Sequence, residues 1–367
     1  MGDQHPGPSI EEVPASPRTI EGVPTGTAGF VGMAGSPWEA HLISSWFDFR
    51  RLWPQPSALA EAVELFFLNG GSTAWAFSVD ELGASAVRAA LSAMDHDVAV
   101  VAVVADPPAR PEIIRAAAET VAARRAMLVV EGPWAEADSA IAELSDLGPV
   151  AVGAGGADIA VYWPRLRRDR GQGVTEAVSP LGAVLGVIAR TDRERGVFAA
   201  PAGASAAVRG VIEPAGLATP AQQAALNELG VNLIRSFPQL RTVVWGARNL
   251  SRDHEWRSVP VRRLFLFLEE SIERGLQWVV FEPNGESLWR RVRVAIEDFL
   301  RRLWKQGAFQ GQTSDDAFFV RCDETTMTHQ DLDAGRLVCT VGIAAARPAE
   351  FVIFHIGAWT ADADRSE

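Results

Sequence analysis

Apolar runs alternate with apolar stripes through the middle of this chain. Residues 98–104 are apolar throughout, residues 111–125 place alanines at helical spacing, and residues 127–130 form a second run that ends at Glu131-Gly132-Pro133. Runs that short and that apolar suit strands covered on both faces, so the three predict a β-α-β unit and a parallel sheet. Strands are also predicted over 27–33, 73–79, 157–163, 233–236, 243–245, 277–281, 317–322 and 336–344, and helices over 58–67, 138–147, 179–189, 220–227, 261–275 and 287–305. The fold class is therefore α/β, with mixed sheets and flanking helices.

The longest predicted helix, 287–305, has the clearest two-sided pattern. Leu288, Trp289, Val292, Ile296, Phe299, Leu300, Leu303 and Trp304 make its apolar stripe, while Arg290, Arg291, Arg293, Arg301, Arg302 and Lys305 fill the rest against Glu297 and Asp298. Such a positive strip suits either a solvated face or an acidic partner surface. By contrast, the arginine- and glycine-rich stretch 165–174 reads as an exposed connection. The mixed charges of 190–196 read as a solvated or mutually paired loop, and 323–334 as a polar loop.

Both ends read as arms. Pro6, Pro8, Pro14, Pro17 and Pro24 forbid helix over residues 1–27, while Ile10, Val13, Ile20 and Val23 offer apolar docking points; a disordered terminus is the other reading. At the far end, residues 350–356 alternate Phe351, Ile353 and His355 with Val352, Phe354 and Ile356, so both faces of a strand there would be apolar. Only the polar stretch 357–367 follows, and its cover must come from earlier in the chain or from another copy. The chain thus divides into an arm at 1–27, an α/β part at 28–178, a second part at 179–346, and a terminal strand with its tail at 347–367.

Composition narrows the function. With 367 residues and 48% hydrophobic content the chain can bury a large core, and a net charge of −12 argues against nucleic acid as a general partner. Lys305 is the only lysine and there are twelve tryptophans; arginine and tryptophan both favour interfaces, although high genomic G+C would favour arginine equally. The start has no cationic and apolar leader pattern, and no window reaches about 18 uninterrupted apolar residues, so neither a secretory signal nor direct membrane insertion is expected. Cys322 and Cys339 read as reduced core thiols, with a disulfide unforced and no zinc-ligand spacing beside them. No Gly-x-Ser-x-Gly elbow or phosphate-binding Gly-Lys-Ser/Thr loop occurs, and His41, His96, His254 and His329 have no partner at metal spacing. No catalytic, cofactor or metal site is expected.

Several segments carry a family likeness. Residues 189–197 (Ala-Arg-Thr-Asp-Arg-Glu-Arg-Gly-Val), 230–235 (Gly-Val-Asn-Leu-Ile-Arg), 244–250 (Val-Trp-Gly-Ala-Arg-Asn-Leu), 277–284 (Gln-Trp-Val-Val-Phe-Glu-Pro-Asn), 317–323 and 347–354 resemble contractile tail sheath proteins of phages and phage-tail-like injection particles. So do Ile10-Glu11-Glu12-Val13-Pro14, Ile20-Glu21-Gly22-Val23-Pro24-Thr25 and the Phe-x-Asn-Gly-Gly segment ending at Gly71, while residues 80–175 match less well. The resemblance implies a non-enzymatic subunit that polymerises as a helix or stacked rings around an inner tube and contracts to drive the tube through a target envelope. It implies synthesis in the cytoplasm, assembly into a phage tail or tail-like particle, and as partners other copies of itself, an inner tube protein, and baseplate and cap proteins. Ile10, Val13, Ile20, Val23, Phe351, Val352, Ile353, Phe354 and Ile356 become expected inter-subunit arm contacts, and Arg290, Arg291, Arg293, Arg301, Arg302 and Lys305 an expected tube-facing strip. A low-copy cap or baseplate subunit and an α/β enzyme remain as alternatives.

Overall fold

The computed structural model describes residues 19–106, 108–132, 136–139, 141–142 and 156–348. Its centre is an eight-stranded sheet in the order β11-β10-β6-β5-β4-β1-β3-β2. The strands are β1 (Ala28–Gly32), β2 (Ala40–Ile43), β3 (Ala74–Ser78), β4 (Val100–Val103), β5 (Met127–Glu131), β6 (Ile159–Trp163), β10 (Val231–Phe237) and β11 (Arg241–Val244). Six strands from β10 to β3 run parallel, and antiparallel β2 and β11 close the two edges. Strands from both sides of residue 178 thus share one sheet.

Alternation along these strands assigns each face. Phe30, Val100, Ala102, Met127, Val129, Ala160 and Tyr162 point into a core with α1 (Trp46–Leu52), α2 (Ala58–Leu68) and α5 (Leu181–Arg195). Val31, Val101, Val103 and Leu128 point the opposite way, against α3 (Ala84–Ala93) and α4 (Pro111–Ala123). This is the covering on both sides that the predicted β-α-β unit requires.

Helices α2 and α5 cross with their backbones nearly touching. A Cβ at Gly182 would lie 1.8 Å from the Ala62 carbonyl oxygen, and one at Gly186 2.5 Å from that of Phe66. Asn69, at the end of α2, donates to the Leu65 and Arg209 carbonyls and accepts from the Arg209 amide, and buried Arg190 on α5 donates to the Asn69 carbonyl at 2.6 Å. The Phe-x-Asn-Gly-Gly segment is therefore a buried fastener between α2, α5 and the loop before residue 210.

Four sequence expectations change. Residues 165–174 are no connection: β7 (Leu166–Gly171) and β8 (Val174–Val178) form a hairpin through Gly171, Gln172 and Gly173, all at positive φ, with β9 (Glu213–Pro214) at its other edge. Ion pairs hold this hairpin to α2, Arg168 to Glu64 and Arg170 to Glu61, so no apolar alternation announces it. The charged run at 190–195 is the last part of α5, which ends at Gly196 with φ +91°. Residues 277–281 form a 3-10 turn, Gln277–Val279, and an exposed Phe281 at φ +71°, because the run joins two helices and meets no sheet edge. The loop 323–334 contains α10 (His329–Asp333), started by a capping box between Thr328 and Asp331. Strand β2 and helices α1 and α3 went unpredicted. The expected helix over 138–147 falls partly outside the described residues.

A second core lies beside this sandwich. Helices α7 (Val259–Gly275) and α8 (Glu286–Lys305) pack with α9 (Ser314–Ala317) and a two-stranded sheet of β12 (Phe318–Arg321) and β13 (Thr340–Ile343). Helix α7 joins the two cores, because Val259 and Leu266 face the first and Leu264 and Leu268 the second. Helix α6 (Pro220–Glu228) closes a small cluster on β6 and β10 through Leu226.

Candidate assembly interface

The described part of the N-terminal arm is rooted in its own chain. Ile20 is 0% exposed, packed with Leu264, Leu268, Phe299 and Leu303. Three side chains hold the backbone around it: Arg302 donates to the Ile20 carbonyl at 2.6 Å, Ser271 accepts from the Val23 amide at 3.1 Å, and Arg263 donates to the Thr25 carbonyl at 2.9 Å. Arg263 is itself fixed by a buried two-pronged pair with Asp192, at 2.6 and 2.7 Å. Ile20 therefore belongs to its own subunit's core, and Val23 is half-buried beside it. Ile10 and Val13 lie outside the described residues, as do Phe351, Val352, Ile353, Phe354 and Ile356.

The chain's two described ends leave from the same place. Residues 19–22 lie against Phe299, Arg302, Leu303 and Gln306 near the C-terminal end of α8. Just past that end, the Gln310 amide donates to the Ala344 carbonyl at 2.7 Å and the Ala346 amide to the Ala308 carbonyl at 3.1 Å. Residues 344–346, just after β13, thus lie at the same end of α8 as the root of the N-terminal arm.

Between these positions, β12 and β13 make a sheet that has two strands among the described residues, with Phe309 bridged to Ala345 past the end of β13. Phe318 and Val320 are buried, while Phe319 is 48% exposed on the outer face. A two-stranded sheet is marginal alone and keeps unpaired backbone groups at its rim. No sequence signal singled this sheet out, because its exposed apolar residues look like any short strand.

Helix α8 spends most of its positive charge internally. Arg291 pairs with Glu282 at 2.7 Å and stacks on Trp278, Arg293 pairs with Glu297, and Arg301 pairs with Asp298. Arg302 holds Ile20, which leaves Arg290 and Lys305 exposed and without an ionic partner among the described residues. They lie fifteen residues apart, which at ~100° per residue puts them within ~60° of each other around the helix.

The other family-like segments are internal fasteners. Asn232 donates to the Val161 and Arg248 carbonyls and accepts from the Arg248 amide, while Asn249 donates to the Trp256 carbonyl at 2.6 Å. Among the described residues no group of three His, Cys, Asp or Glu side chains could hold a metal ion. No helix there is long and apolar enough to cross a membrane.

Comparison with known proteins decides what such a body is. Residues 80–250 match the phage tail sheath protein central domain and residues 251–358 the phage tail sheath C-terminal domain. The sheath of the PVC extracellular contractile injection system in its contracted state is 31% identical, with 99% of each chain covered and a TM-score of 0.80. The chain belongs to the phage tail sheath family. The contracted helical sheath of the anti-feeding prophage is equally close, at 31% identity over 97% of this chain and 99% of that one, with a TM-score of 0.79. The tail sheath protein of Vibrio phage KVP40 is 26% identical over 188 residues, 51% of this chain. That match spans 27% of the phage protein's length. The sheath fold thus accounts for the resemblance read in the sequence, including residues 80–175, where it was weakest.

Proposed function

We propose that this chain is the structural subunit of a contractile sheath, which polymerises helically around an inner tube and contracts to drive it through a target envelope. The observation that carries this reading is the full-length likeness to sheaths in contracted injection particles. The chain's own geometry supports it: both described ends lie beside a sheet that has two strands among the described residues. Arms crossing to neighbouring copies would add strands to that sheet's rim, a heterologous contact that continues as a helix unless it closes into a ring. The arm contacts are then Ile10, Val13 and the 351–356 strand on the neighbour's side, with Ile20 and Val23 as the root on the subunit's own side.

Arg290 and Lys305 of α8 would face an acidic tube surface, with Arg291, Arg293 and Arg301 as their paired surroundings. Reversing both Arg290 and Lys305 to Glu should weaken co-assembly with the tube protein and leave the unfolding midpoint in place, because neither side chain has an ionic partner to lose among the described residues. Full co-assembly of that double variant would remove α8 from the tube contact.

Negative-stain electron microscopy of the expressed chain with its tube protein tests the whole reading. Long hollow cylinders are expected. A small discrete oligomer would overturn the sheath role in favour of an α/β enzyme, and short caps alone would place the chain at a tail end.

A further inference from the structure

Cys322 and Cys339 are the chain's only cysteines, and the fold sets them face to face. Strands β12 and β13 are antiparallel with Arg321 opposite Thr340, so the next pair outward is Cys322 and Cys339. Side chains alternate along β12, and buried Phe318 and Val320 put Cys322 on the core side, where it is 2% exposed. Cys339 is half-buried and packs on the same core. Directly opposed residues of antiparallel strands lie ~4.5–5.5 Å apart between Cα atoms, within the ~4.4–6.8 Å that a disulfide spans.

The two thiols also lie near enough to shift one another's titration. Cys339 beside it holds Cys322 below the usual thiol range, while Cys322 and burial push Cys339 up. The loop beside them is tied down, since the Thr326 hydroxyl donates to the Val338 carbonyl at 2.8 Å and accepts from the Asp323 amide at 3.3 Å.

We propose that Cys322 and Cys339 are an oxidative modification site, which closes into a cross-strand disulfide on reaction with a small-molecule disulfide such as glutathione disulfide. One cysteine, as thiolate, attacks a sulfur of the small disulfide, forming a mixed disulfide and expelling one small thiolate. The second cysteine, as thiolate, then attacks the protein-side sulfur and expels the other. Two S–H bonds are lost and one S–S bond forms, while the small disulfide takes both electrons and both protons to become two thiols. The pair stays open in a reducing compartment and closes in an oxidising one. Closure ties off the loop 323–338 and fixes the register of β12 on β13.

The test uses the full chain, reduced and then equilibrated with mixtures of reduced and oxidised glutathione, quenched in acid and alkylated with N-ethylmaleimide. Intact mass should show both maleimide labels lost together as the oxidised share rises, with the chain lighter by two hydrogens. Digestion should yield a peptide linking 322 to 339. Two labels at every ratio, a lasting single glutathione adduct, or disulfide-linked dimers would each overturn the proposal. A Val338→Cys, Cys339→Ser double variant shifts the thiol to the other face of the strand and should retain its labels under the same conditions. Equally ready closure in that variant would also overturn it, since strand geometry would then not direct the pairing.

Discussion

Asp192 and Glu194 stand two residues apart in one charged run and do opposite things. Asp192 is 3% exposed and bound by both prongs of Arg263, which is equally buried and also holds the arm root at Thr25. Glu194 is more than half exposed and meets Arg193 only at 4.0 Å. Removing one partner of a buried pair leaves the other charge without compensation, so Asp192→Ala should cost about 3–5 kcal/mol, whereas Glu194→Ala should cost under about 1 kcal/mol. Urea denaturation of both variants checks this, and equal midpoints would contradict it. The sequence displayed the run's charge density, which reads as solvated or mutually paired. It could not display Arg263, 71 residues away, as the partner that makes one of them structural.

At the scale of elements, apolar covering was what the sequence made legible. The β-α-β unit from β4 to β5, helix α2, and the stripe of α8 all emerged where their spacing predicted. Elements held by charge or by caps did not. The β7–β8 hairpin rests on ion pairs to α2, α10 starts from a capping box, and the apolar run 277–281 misled because an apolar run carries no sign of whether a sheet edge awaits it. The seam between α4 and α7 is another charge-built junction: Arg125 reaches Glu269, Glu270 and Glu273, and Arg274 reaches Glu270 and Asp97. Burial alone would raise the Glu270 carboxyl, but hydrogen bonds from Arg274 and Arg125 outweigh it and hold Glu270 below the usual range. A depressed carboxylate contributes stability that is present above its unfolded value, ~4.3, and lost as pH falls through the lower folded value. Wild type should therefore exceed Glu270→Gln in stability at pH 7 and converge with it in acid. Denaturant midpoints measured from pH 7 to pH 3 follow that convergence, and a gap that stays constant with pH would rule it out.

At the scale of the whole molecule, the described root of the arm folds the subunit, and on the proposed reading the residues before it join others. Ile20 fills the second core and Arg302, Ser271 and Arg263 hold the backbone from 20 to 25, so a cut through residue 24 would remove core as well as arm. A cut before residue 19 spares all of these contacts. The two roles then separate in two variants. Deleting residues 1–18 should leave the unfolding midpoint within about 0.5 kcal/mol of wild type and abolish cylinders, because the apolar side chains Ile10 and Val13 that would cross to a neighbour are gone. Ile20→Ala should instead cost about 2–5 kcal/mol, the range for emptying a packed aliphatic site, and should weaken assembly only as far as the second core loosens. Denaturation and negative-stain microscopy on both variants read the two effects independently. Cylinders from the truncated chain would show that the C-terminal strand links copies unaided. A truncated chain that unfolds early would extend the root into residues 1–18. On the proposed reading the truncated chain stays folded and single, because the rim of β12 and β13 loses the N-terminal arms that neighbouring copies would supply.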